Sequence, residues 1–138
     1  MANSVLSGTS SGNGDSQIAG GPGFNAANFN FVEIRLKTSG TNAQLFWADG
    51  AGFVGSQVVD LGVGDGAFHT YLLDFSNEPT WTGANMSVRL DPVTAQVGST
   101  FELDYIRAST GAMIPEPSSL ALLGLGGVLA LTLRRRRG

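Results

Sequence analysis

Apolar and charged side chains alternate strictly through Val32-Glu33-Ile34-Arg35-Leu36-Lys37. That period of two puts Val32, Ile34 and Leu36 on one buried face of a strand and turns the charges toward solvent. A second strand is predicted from Ala43 to Ala48 through Gln44-Leu45-Phe46-Trp47, closed by Asp49-Gly50-Ala51-Gly52. A third runs from Ser56 to Leu61, and the following Asp65-Gly66 suits a tight reversal. Phe68 to Phe75 is a fourth, with Tyr71, Leu73 and Phe75 on one side and Asn77-Glu78-Pro79 as its stop. Met86 to Leu90 is a fifth, ended by Asp91-Pro92, and Phe101 to Arg107 a sixth, with Phe101, Leu103 and Tyr105 inward. No stretch between residues 31 and 107 keeps an amphipathic helical period. Short strands about ten residues apart, punctuated by Gly and Pro, define an all-β sandwich or barrel. Residues 1–30 are rich in Gly, Ser and Asn and read as loop, or as the remnant of an edge strand whose partner is missing.

The pattern changes at Ala108. A linker over 108–117 carries Pro115-Glu116-Pro117, residues 118–133 contain no charge, and Arg134, Arg135, Arg136 and Arg137 precede a terminal glycine in the segment 134–138. Two prolines around Glu116 exclude a regular helix and hold the segment extended. Ser118 and Ser119 can cap a helix that continues through the leucines. Sixteen residues of helix span roughly 24 Å, short of a hydrocarbon layer of ~30 Å. Arginine stems can snorkel to make up the difference, and four adjacent cations cannot enter a protein core. The reading is a single transmembrane helix over 118–133 with a basic cytoplasmic tail, leaving residues 1–117 outside.

Ile114-Pro115-Glu116-Pro117-Ser118-Ser119, the Leu/Gly/Ala-rich stretch and the arginine cluster together resemble the PEP-CTERM sorting signal of Gram-negative bacteria. The resemblance implies an exosortase substrate: passage through the inner membrane, cleavage near Pro-Glu-Pro by an intramembrane cysteine enzyme, and delivery to the cell surface or an extracellular polysaccharide matrix. An ordinary C-terminal anchor is the plainer alternative, but it needs neither the Pro-Glu-Pro nor so short a span. Gly124, Gly126 and Gly127 lack the surrounding βαβ unit of a dinucleotide loop and read as small residues of a membrane helix.

Charge agrees with this division. Residues 1–117 hold all eleven acidic side chains against only Arg35, Lys37, Arg89 and Arg107, a net of −7. An acidic domain without a basic stripe excludes nucleic acid as a partner. Cysteine is absent, so there is neither a disulfide framework nor a thiolate metal site. Residues 1–23 contain no basic and apolar signal-peptide regions, which an exported chain requires. A late start to the chain is therefore expected.

Gln44-Leu45-Phe46-Trp47, Phe68-His69-Thr70-Tyr71, Trp81-Thr82-Gly83, Val88-Arg89-Leu90-Asp91-Pro92 and Phe101-Glu102-Leu103-Asp104-Tyr105-Ile106 follow in an order that resembles the later strands of galactose-binding-like jelly rolls. The resemblance implies a jelly-roll-like sandwich, incomplete at its N-terminus, with affinity for carbohydrate. Aromatic rings pair with the C–H faces of sugars. Trp47 and Tyr71 alternate as core residues do, while Trp81, in a loop, is either an exposed sugar platform or a cover over the sandwich's open end. Asp91 and Asp104 are the candidate oxygen ligands for the structural calcium that the jelly-roll resemblance implies, and Arg89 paired with Asp104 across adjacent strands is the simpler reading. His69, the single histidine, is expected on a solvent-facing strand position and supports no metal site. Glu33 and Glu102 are expected to be solvated, and no nucleophile motif or paired-carboxylate cleft marks an enzyme. The expected function is noncatalytic: carbohydrate binding or association with extracellular polysaccharide. A purely structural surface protein, or the accessory module of an enzyme, are its rivals.

Overall fold

The predicted strands are present, and two more precede them. A computed structural model describes residues 5–12, 16–20, 23–62 and 65–111. Its strands are β1 (Leu6–Thr9), β2 (Ser16–Ala19), β3 (Phe31–Thr38), β4 (Asn42–Asp49), β5 (Gly52–Asp60), β6 (Phe68–Asp74), β7 (Ser87–Val93) and β8 (Thr100–Ser109), with a short 3-10 turn at Ala26–Asn28. They form two antiparallel four-stranded sheets, ordered β1-β8-β3-β6 and β2-β7-β4-β5. The Pro-Glu-Pro motif, the 118–133 segment and the four arginines lie outside the described residues. Among the described residues, no helix is long and apolar enough to cross a membrane.

The inner faces follow the alternation. Val32, Ile34 and Leu36 of β3 meet Leu45 and Trp47 of β4 and Leu90 and Val93 of β7 in one core, all essentially buried. Burying each such aliphatic side chain contributes roughly 1.5–3 kcal/mol. β5 approaches so closely that a Cβ on Gly55 would lie 2.2 Å from Trp47 Cζ2, so only glycine fits opposite that indole.

Four expectations change. Residues 1–30 are not simply loop: β1 pairs with β8 and β2 with β7, so both short strands have partners within the chain. The sandwich therefore takes in residues ahead of position 31. β5 begins at Gly52 rather than Ser56, because a two-residue turn at Gly50-Ala51 suffices. There the Ala51 amide donates to Asp49 Oδ1 at 2.8 Å, and Gly52 adopts φ +140°. β7 does not stop at Asp91-Pro92 but continues to Val93. Pro92 is tolerated because the ladder to β4 ends at Asp91, and the ladder to β2 is irregular between Ile18 and Ser16.

The fourth change is a bulge in β8. Leu36 faces Leu103 and Arg35 faces Tyr105, which leaves Asp104 as the extra residue. The parity of β8 reverses there. Phe101 and Leu103 point inward as expected, but Tyr105 turns to the outer face and Ile106 packs against the core in its place.

Candidate functional site

On the outer face of β3 and β8, the charges pair across the ladder. Lys37 Nζ lies 2.6 Å from Glu102 Oε1, Arg35 Nε 3.0 Å from Asp104 Oδ2, and Arg107 Nη2 2.7 Å from Glu33 Oε1. Asp104 is thus the partner of Arg35. Arg89 cannot reach it, since β7 and β8 belong to different sheets. Glu33 departs furthest from expectation, being only 3 % exposed. Reversal of β8 brings Tyr105 over it, and the phenol donates to the same oxygen that Arg107 holds. Burial raises the Glu33 carboxyl, but the hydrogen bonds from Tyr105 and Arg107 outweigh it and hold the group below its ordinary 4.5. Tyr105 is raised in turn, first by that bond and then by its own burial.

A lowered carboxylate contributes stability above its unfolded value, and that contribution is lost as pH falls through the folded value. Glu33→Gln is accordingly expected to cost about 1–2 kcal/mol at pH 7 and less at pH 3, below its ordinary 4.5. Urea midpoints of both forms at the two pH values measure this. Parallel losses at the two pH values would remove the ionised Glu33 from the account.

Trp81 is not an exposed platform. It is 4 % exposed, stacks on Phe75 at 4.1 Å between centroids and 22° between planes, and donates Nε1–H to the Phe29 carbonyl at 2.7 Å. Trp47 and Phe24 complete an aromatic cluster at 5.9 and 5.4 Å. The cover reading describes it. Trp47 is core, its Nε1–H satisfied by Thr80 Oγ1 at 2.9 Å, and Tyr71 is half-buried against the core. His69 is exposed with its Nε2 2.9 Å from Asp65 Oδ1. A cavity of about 260 Å³ opens among Phe24, Phe29, Val32, Val88 and Ile106, with Arg107 on its wall. Its lining offers too few polar groups to hold a polyol.

The outer face of the other sheet has a different character. Phe46 of β4 faces Arg89 of β7, and Phe53 of β5 lies opposite Ala48. The Arg89 guanidinium sits 4.3 Å from the Phe46 ring centroid and 4.8 Å from that of Phe53. Asp91 fixes it from the same strand: Nε lies 2.9 Å from Oδ1, and Nη2 donates to Oδ2 at 2.9 Å. The Asp91 side chain is 3 % exposed and that of Arg89 19 %, whereas Phe53 is 58 % exposed. Beside them the Gln44 amide donates to Ser56 Oγ at 2.9 Å. Asp91 and Asp104 therefore lie in separate sheets, each engaged by its own arginine. The result is a flat patch with an open aromatic ring, a cation of fixed orientation and neighbouring amide and hydroxyl groups. Sequence reading missed Phe53, because it falls beside a bulge between Trp47 and Ala48 that breaks the alternation of β5.

Residues 114–137 match the PEP-CTERM protein-sorting motif. The chain thus carries a sorting signal of the kind that implies export and an exosortase-type processing partner, and the matched span includes Pro115-Glu116-Pro117. No curated protein matches the chain.

Proposed function

We propose that this is a noncatalytic surface protein which, once exported, associates with extracellular polysaccharide through the outer face of the β2-β7-β4-β5 sheet. The sorting motif at 114–137 supports the reading, because such a signal suggests export of the folded domain to the envelope; polysaccharide as its partner there is the proposal. The Phe46–Arg89–Phe53 patch supplies a means. The exposed ring of Phe53 can accept the C–H face of a sugar. The guanidinium, held against two rings by Asp91, keeps donors for hydroxyl oxygens and loses little freedom on binding.

Affinity electrophoresis through gels containing the host's own exopolysaccharide tests this. The protein should be retarded, and Phe53→Ala should weaken binding by up to about tenfold, ~1.4 kcal/mol, with its circular dichroism unchanged. Equal retardation of the two forms would reject the patch. No retardation of either would leave a purely structural surface protein.

A further inference from the structure

Among the described residues, β5 is a nine-residue edge strand hydrogen-bonded on one side only, to β4. Phe53, Val54 and Val58 on it are exposed at 58, 36 and 62 %. It contains no lysine and no proline, and its single charge is Asp60 at the end. Natural edges are ordinarily guarded against pairing by such residues, by bulges, by shortness or by cover; of these β5 has one bulge, at Val54 near its start, and the run from Gly55 to Asp60 is regular. The other edges show those devices: β1 and β2 have four residues each, and β6 begins with the His69–Asp65 pair against it.

We infer that β5 pairs antiparallel with β5 of a second copy of this chain, about a two-fold axis at Ser56. The strand's order of residues is what selects a second copy over a foreign strand. With Ser56 facing Ser56, each exposed Val54, the bulge residue, falls opposite an exposed Val58, and each Asp60 lies beside the partner's uncharged Gly52-Phe53 end. No like charges meet, and two apolar pairs form, as an isologous contact requires. The product is a continuous eight-stranded sheet that satisfies the free backbone groups of both edges. It leaves the two Phe46–Arg89–Phe53 patches on one shared face, about 24 Å apart from β7 to β7 at ordinary strand spacing. A strand-to-strand contact is small, and crowding of many copies at one surface raises its occupancy.

The absence of cysteine makes a direct test available. Ser56 is exposed, so Ser56→Cys introduces one thiol without entering the core. Facing residues of an antiparallel pair stand about 4.5–5.5 Å apart at Cα, within disulfide reach. Full-length Ser56→Cys protein in mild detergent, exposed to a gentle oxidant, is expected to double in mass on a non-reducing gel. Leu72→Cys, on the exposed part of β6, should remain monomeric under the same conditions. Adding Val58→Lys to Ser56→Cys should abolish the dimer, with circular dichroism confirming that the fold persists. Cross-linking of Ser56→Cys no greater than that of Leu72→Cys, or undiminished by Val58→Lys, overturns the inference.

Discussion

Trp81→Ala is expected to destabilise the domain by about 3–5 kcal/mol, a large part of the roughly 5–15 kcal/mol that holds a domain of this kind together. The indole is nearly inaccessible and lies flat against Phe75, with Trp47 and Phe24 at its edges. Truncation leaves a cavity among three aromatic neighbours and strips the Phe29 carbonyl of its donor. The effect should spread to the Ala26–Asn28 turn, which this carbonyl follows and which packs beneath the same cluster through Ala26. Trp81→Phe should cost less, because it keeps an apolar ring and loses mainly the N–H. Urea denaturation followed by far-ultraviolet circular dichroism reads both. An unchanged midpoint for Trp81→Ala, together with lost polysaccharide retention, would restore the platform that burial argues against.

The second large effect lies in the tail. In the native host, Pro115-Glu116-Pro117→Ala-Ala-Ala is expected to abolish processing, so that the unaltered protein is recovered shortened outside the cell and the variant at full length in the membrane fraction. The expectation from the sequence is that two prolines disfavour helix around Glu116 and suit the segment to a protease cleft. Three alanines, the strongest helix formers, would instead let a helix through 118–133 extend back across the site. The substitutions lie beyond residue 111, so the folded domain serves as its own control. If both proteins stay uncleaved in the membrane, residues 118–133 are a simple anchor, and export by cleavage is the wrong account.

Strand existence was legible from the period of two, unbroken in β3 and carried by alternate inward residues in β4 and β6. β3, β4 and β6 lie where that period places them, and the core residues Ile34, Leu45 and Leu73 with them. The short strands β1 and β2 were not legible, because four residues carry too little pattern and their pairing is supplied by β8 and β7, some 70–97 residues later. Side-chain direction was lost at each bulge. One extra residue at Asp104 turned Tyr105 from core to surface and made Glu33 a buried carboxylate. Another, Val54 on β5 opposite the step from Trp47 to Ala48, concealed Phe53.

By itself, then, the sequence determined two things about this protein: that its middle folds as β-structure, and that its end is a sorting tail. Both depend on local order, namely a period of two along a strand and a contiguous run of Pro-Glu-Pro, apolar residues and arginines. Tertiary structure alone decided which aromatics are buried and which are presented. Trp81 and Phe53 are both aromatics near turns, equally suited to contact a ligand by type. Packing of the two sheets closed one beneath Phe75 and Phe24, and the free edge of β5 left the other open beside Arg89. Contacts between residues far apart in the chain set that outcome, and no local pattern encodes them.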